Sequence, residues 1–252
     1  QKETVHFRKL IYELICLNDF LKGPAKSLRA RELNIFDNGK GQVSYYYDGM
    51  PAEEFRKNAV SVVEIGGCSI ESDASVFFQS NLSLLPELVD SVRKAVDEGI
   101  QSGEASNEWL IDLFSGVGFF AALLQDKFKR VTTVERDEGC LKHAKVNLSK
   151  NAENVSAPAE DWLAENGGDI PATLIGDPPR TGLPPRKGCE ESLLKAVVGM
   201  SPNKIVYVSC DPVTLARDFA KLAEYGFSMM SAEAFAFYPQ TPHMEMLAVL
   251  SR

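Results

Sequence analysis

Three short runs place side chains of catalytic type at three expected strand ends: Asp177-Pro178-Pro179-Arg180-Thr181-Gly182, Val208-Ser209-Cys210-Asp211-Pro212 and His243-Met244-Glu245. A carboxylate, a thiol and a second carboxylate in that setting suit covalent catalysis on a nucleic-acid base, the thiol as nucleophile and a carboxylate moving a proton. Asp177 closes the apolar run Thr173 to Ile175, and the prolines after it turn the chain outward into a stiff loop, which holds a polar group at the sheet end. Cys210 closes the run Ile205 to Ser209, with Asp211 as helix N-cap and Pro212 as first helical residue. A thiol beside a helix N-terminus is expected to have a lowered pKa. Glu245 precedes the last strand and is the candidate general base.

A fourth stretch, Leu110 to Ala121, reads as strand, small residues, then helix. Gly116, Gly118 and Ala121 fit G-x-G-x-x-[GA], and Glu135 ends the next strand, where its carboxylate can accept ribose hydroxyls. That much also fits a nicotinamide dinucleotide. Asp112 shifts the balance, since a carboxylate entering the loop opposes a pyrophosphate and suits the cationic sulfonium and amino group of S-adenosylmethionine. Asp161 is expected to reach the adenine from the third strand end, with a solvated loop carboxylate as the alternative. The bland reading of the two glycines is a tight strand-to-helix turn.

The elements that must position these groups follow from the pattern. Leu28 to Phe36 and Gln42 to Tyr47 flank the turn Asp37-Asn38-Gly39, and Ala59 to Ile65 supplies a further strand. Residues 1–80 are therefore expected to form a mixed α/β region in contact with substrate, and residues 81–252 a methyl-donor-binding domain. Leu82, Leu85, Leu88, Val89, Val92, Val96 and Ile100 recur at helical spacing, so Leu82 to Gln101 is an amphipathic helix. Strands at Trp109 to Phe114, Arg130 to Glu135, Ala172 to Gly176 and Lys204 to Ser209 alternate with helices. That order predicts an α/β, Rossmann-like, mostly parallel sheet with ligands at the carboxyl strand ends. Phe227 to Phe237 and Met246 to Ser251 then close it as an antiparallel edge.

At 252 residues and 44% hydrophobic, the chain can bury one large core with a smaller appended unit. Five cysteines, Cys16, Cys68, Cys140, Cys189 and Cys210, stand without C-x-x-C spacing, so neither a disulfide framework nor a metal or iron-sulfur site is expected. The net charge of −8 opposes bulk attraction to polyanions, so any nucleic acid must be gripped locally. No run is apolar enough to span a bilayer, membranes are not an expected partner, and the cytoplasm and a monomer are the default expectations. The chain lacks an initiating Met, so a fragment boundary with further sequence upstream is expected.

Five ordered motifs, FFQSN at 77–81, DLFSGVGFF at 112–120, DPPRTG at 177–182, VSCDPVTLARD at 208–218 and QTPHME at 240–245, resemble the RNA (uracil-5-)-methyltransferase family over roughly Val76 to Arg252. The resemblance implies a tRNA or rRNA substrate and S-adenosylmethionine as methyl donor. It further implies Cys210 attacking C6 of a uracil, Glu245 removing the C5 proton, and Gln79, Phe114, Glu135 and Asp177 as cofactor or site contacts. The flipping of the base out of its stack is part of the same expectation, with Arg180, Arg186 and Lys187 near the flanking phosphates. Asp211 stands where the family has Asn in S-C-N-P, and Phe119 where many members carry a cofactor-contacting Asn. Both departures point toward altered activity, and a cofactor-binding module without turnover is one alternative. The other is amino methylation, although Arg180 occupies the place where amine methyltransferases carry a base-stacking aromatic after D-P-P. The family's frequent OB-like N-terminal domain and four-cysteine cluster have no visible counterpart.

Overall fold

The computed structural model describes residues 33–166, 172–183, 190–241 and 243–252. Leu28 to Glu32, Cys16, Cys189, Arg186 and Lys187, which figure in the expectations above, lie outside these.

The first described elements are β1 (Leu33–Asp37) and β2 (Val43–Tyr47), an antiparallel pair joined through the Asp37-Asn38-Gly39 turn. Helix α1 (Ala52–Asn58) follows, then a second hairpin of β3 (Val60–Ile65) and β4 (Cys68–Asp73). The long amphipathic helix is α2 (Leu85–Ser102), its apolar residues buried and its end closed by Gly103 in the left-handed region.

After α2 the chain enters the alternating pattern: β5 (Trp109–Leu113), α3 (Phe119–Leu124), β6 (Arg130–Glu135), α4 (Glu138–Asn147), β7 (Glu153–Ser156), α5 (Ala159–Glu165), β8 (Ala172–Gly176), α6 (Glu190–Gly199), β9 (Pro202–Ser209), α7 (Pro212–Glu224), β10 (Ser228–Phe235) and β11 (Glu245–Ser251). Seven strands form one sheet in the order β10-β11-β9-β8-β5-β6-β7. The strands from β9 to β7 are parallel, and β11 runs against both β9 and β10. The sheet is the Rossmann-like α/β arrangement with the antiparallel edge expected from the strand and helix pattern. Two strands carry no expectation from the sequence: β7 at the edge of this sheet, and β4, which pairs with β3 in a separate hairpin.

The chain winds outward from β5 through β6 to β7, then crosses back to lay β8 on the other side of β5. A parallel sheet whose winding reverses opens a crevice at the carboxyl ends of the two strands at the switch. Side chains alternate across β5. Leu110 faces the core layer shared with α2, α3 and the β3–β4 hairpin, while Trp109, Ile111 and Leu113 face the layer shared with α5, α6 and α7. Asp112 therefore faces the same way as Leu110, toward α3.

The β3–β4 hairpin is fastened to the helical layer through α4. His143 sits between Glu71 (Nδ1 to Oε1, 3.0 Å) and Asp73 (Nε2 to Oδ2, 2.7 Å), and Asn147 bonds the backbone of Glu71 and Val117. Burial alone would lower the His143 pKa, but hydrogen bonds and charge from Asp73 and Glu71 outweigh it and hold it raised. Asp73 also accepts the Ser75 backbone N–H at 2.7 Å, which orients the segment leading from the hairpin into the cavity wall.

Candidate active site

A cavity of about 680 Å³ lies at the carboxyl edge of the sheet, within the range of small-ligand sites. Its lining comes from the loops after β5, β6, β7, β8 and β9, from the start of β11, and from residues 75–79. Because β11 is antiparallel, its first residue reaches the same edge as the last residues of the parallel strands. The β9–β11 ladder ends at the Met246–Ser209 pair, so the next residues, Glu245 and Cys210, both lie at this edge.

Seven of the ten residues singled out from sequence line this cavity: Gln79, Phe114, Gly116, Glu135, Asp177, Cys210 and Glu245. Asp112, Gly118 and Asp161 do not. The Asp112 side chain turns into the α3 layer and accepts the Ala121 backbone N–H at 3.0 Å, one of the helix-start donors with no partner in its own helix. Burial, with Asp177 and Glu135 adding to it, raises its pKa to about 8 against that hydrogen bond. Gly118 has φ +75°, and a Cβ there would press on Leu148 and Ala144 of the neighbouring layer, so it serves helix packing. Gly116 has φ +52° and open space where a Cβ would be, which leaves its backbone approachable from the cavity. Asp161 is exposed on α5, and its neighbour Glu160 is the residue on the lining.

Glu135 accepts the N–H of Gly116 at 3.0 Å and of Asp137 at 2.8 Å, which ties the loop after β5 to the end of β6. Phe114 holds φ +57°, a left-handed conformation that a bulky residue adopts only where its surroundings enforce it. The Asp177 carboxylate accepts Gln79 Nε2 at 2.9 Å. Burial carries Asp177 up to about 7 against that hydrogen bond.

Glu245 is 1% exposed, and burial, then the Asp177 charge, raises it to about 8. The Cys210 thiol is pushed up, chiefly by burial and then by Glu245 and Asp177, while a hydrogen bond and the charge of Arg180 oppose the rise. The lowered pKa expected beside a helix N-terminus is thus corrected: burial first, then the Glu245 and Asp177 charges, hold the thiol above its ordinary value. Asp211 serves as N-cap of α7, its Oδ1 accepting the N–H groups of Val213 (2.8 Å) and Thr214 (3.0 Å). Cys140 also lines the cavity, but burial and the charges of Glu135, Asp137 and Asp73 raise it to about 12. Of the two lining thiols, Cys210 is the one whose rise is opposed by a cation, Arg180.

Several polar atoms on this wall have no protein partner among the described residues: Gln79 Oε1, Ser115 Oγ and Glu245 Oε1. Such buried atoms are costly unless a ligand or water reaches them. The acidic, open-backed cavity therefore fits a ligand that carries both hydrogen-bonding groups and positive charge. Ser115, Arg180 as a thiol partner, and the rim aromatics Phe77 and Tyr238 were not identified from sequence. All four stand inside or beside the quoted motifs, Phe77 in FFQSN, Ser115 in DLFSGVGFF, Arg180 in DPPRTG and Tyr238 just before QTPHME, but their places on the cavity wall come from the tertiary fold.

Residues 172–252 match the family model described as tRNA (Uracil-5-)-methyltransferase. A Thermotoga maritima protein named an uncharacterized RNA methyltransferase is 35% identical over 180 residues, which is 70% of this chain and 38% of that one. A similarly named protein of Clostridium acetobutylicum is 26% identical over 98% of this chain and 50% of its own length. The chain spans about four-tenths to half the length of these relatives. The solved Pyrococcus abyssi tRNA (uracil-54, C5)-methyltransferase, in complex with S-adenosyl-L-homocysteine, aligns with a TM-score of 0.59 at 28% identity, covering 77% of this chain and 44% of that one. The matched residues, 172–252, carry the DPPRTG loop, the thiol and the terminal glutamate of the cavity, and this part of the chain is similar to the tRNA (uracil-5-)-methyltransferase family.

Proposed function

We propose that this chain methylates C5 of a uridine in tRNA or rRNA, with S-adenosylmethionine as methyl donor and a covalent Cys210–C6 adduct. The observation that carries this reading is that Cys210, just past the end of β9, and Glu245, at the start of the adjacent β11, line one cavity. The cofactor supplies an electrophilic methyl on a sulfonium. Gln79, Phe114, Gly116, Glu135 and Asp177 would hold it, while Asp112 and Gly118 set the loop from behind. Uracil C5 is too weak a nucleophile to take a methyl group unaided. Cys210, as thiolate, bonds to C6, and the electrons of the C5–C6 double bond move to C5 as an enolate. C5 takes the methyl group. Glu245 then accepts the C5 proton, the double bond re-forms, and the C6–S bond breaks to return the thiolate. A carboxylate with raised proton affinity suits that last abstraction. Arg180, hydrogen-bonded to the thiol, stabilises both the attacking and the departing thiolate.

The test is to supply labelled methyl donor with unmodified tRNA and rRNA and to identify the modified nucleoside by mass spectrometry. 5-Methyluridine that disappears with Cys210→Ala supports the reading. An N-methylated nucleoside, or full activity in Cys210→Ala, overturns it.

A further inference from the structure

Asp218 of α7 is fully enclosed, with no exposed surface, and does not line the cavity. Its Oδ2 accepts the Tyr207 hydroxyl of β9 at 2.7 Å and the backbone N–H of Leu183 at 2.7 Å. Its Oδ1 accepts Arg217 Nε at 2.9 Å and Nη2 at 2.6 Å. The same Arg217 Nη2 donates to the Thr181 carbonyl at 2.7 Å. Two adjacent side chains of α7 therefore grip the turn Thr181-Gly182-Leu183 by a carbonyl at one end and an N–H at the other. Gly182, at φ +83°, lies so close over them that any Cβ would collide with Asp218 Oδ2 and Arg217 Nη2. The turn has no room to slide.

This turn continues directly from Arg180, which lines the cavity together with Cys210 and opposes the rise in the thiol's pKa. The DPPRTG and VSCDPVTLARD motifs are thus joined twice: at the reactive edge by Arg180 with Cys210, and behind it by Asp218 and Arg217 with the turn. An enclosed carboxylate is tolerated only when donors surround it, and here the donors come from β9, the turn and α7 together. We propose that Asp218 is a positioning residue: by clamping Thr181–Leu183 to α7 and β9, it sets the Arg180 guanidinium against Cys210 Sγ. The role rests on the reading of Cys210 as nucleophile given above. In Asp218→Asn the amide keeps one acceptor oxygen but turns donor hydrogens toward Leu183 N–H or Arg217, so one grip on the turn is lost.

The experiment is the pH profile of Cys210 alkylation by iodoacetamide, followed peptide by peptide in the folded chain, with Cys140 as internal comparison. Asp218→Asn is expected to move the Cys210 profile toward higher pH by about one unit, which slows alkylation near pH 7.5 by ~10-fold. In an Arg180→Gln background the same substitution should change the rate less than about twofold, because the contact it positions is already gone. Arg217→Gln, at a half-exposed residue that hydrogen-bonds Thr181 and Asp218, should shift the profile in the same direction, and decides the matter if Asp218→Asn does not fold. A wild-type profile in whichever of these variants folds, or an undiminished effect in the Arg180→Gln background, overturns the proposal. Alkylation needs neither RNA nor methyl donor, so failure to find 5-methyluridine would count against the uracil reading without touching this result.

Discussion

Cys210 and Glu245 hold proton affinities above their ordinary values for one shared reason, enclosure, and each then feels the other's neighbourhood: Glu245 and Asp177 act on the thiol, Asp177 on Glu245. Their roles separate when one is changed at a time. Glu245→Gln leaves the thiol able to attack and methyl transfer able to follow, but removes the proton acceptor. Turnover is expected to fall by ~10²–10⁴-fold while the protein–RNA adduct accumulates, visible as a shifted band on denaturing gels. Loss of both turnover and adduct would deny Glu245 its role as the late base. At this scale the residue types at the strand ends were legible, because strand-ending polar groups stand out against apolar runs. The place of Asp112 just before the glycines suggests a ligand contact, but its direction is set by the strand. Read by strand alternation, it shares a face with Leu110 and belongs under α3.

The loop from β5 to α3 contains two glycines with different duties, and substitution should tell them apart. Ala at Gly116 meets open space but needs φ +52°, whereas Ala at Gly118 needs φ +75° and also displaces Leu148 and Ala144. Gly116→Ala should cost about 1–2 kcal/mol of stability in urea unfolding, from the left-handed backbone alone. It should also weaken methyl-donor binding by roughly tenfold in calorimetry, since the new methyl group stands where the ligand approaches. Gly118→Ala should cost ~2 kcal/mol or more through added overpacking. Equal stability losses with unchanged donor affinity in Gly116→Ala would remove Gly116 from the site. Most elements here were readable from periodicity: α2, β5, β6, β8 and β9 all carry long apolar patterns. The four-residue edge strand β7 is polar and half exposed, so nothing in Glu153–Ser156 marks it before it pairs with β6. The β4 strand does carry a local signal, the Gly66-Gly67 pair, both with positive φ, which makes the tight turn of a hairpin.

Across the whole molecule, the winding reversal at β5 and β8 gathers acidic groups from distant parts of the chain, Glu135, Asp177 and Glu245, into one cavity. A cation entering it favours the ionised carboxyls, and the neutral thioether left after methyl transfer does not. Asp177 at about 7 and Glu245 at about 8 are largely protonated at pH 6 and ionised above pH 8, so the sign is fixed: affinity for S-adenosylmethionine rises with pH relative to that for S-adenosylhomocysteine. Calorimetry at pH 6 and pH 8.5 should show the ratio changing by roughly five- to tenfold, and a flat ratio would place the positive charge elsewhere. The sheet order and its ligand edge were legible from the strand and helix alternation, but the pairing of β11 beside β9, which brings Glu245 to Cys210, is a long-range contact that no local pattern encodes. The bond between that sulfur and a pyrimidine carbon is tested most directly with RNA carrying 5-fluorouridine, whose C5 substituent cannot leave as a proton. Incubated with methyl donor, the wild-type chain should form a stable protein–RNA species whose mass includes one added methyl group and whose peptide linkage maps to Cys210. Methylation that proceeds with no such species, or a linkage at any other residue, would contradict the account.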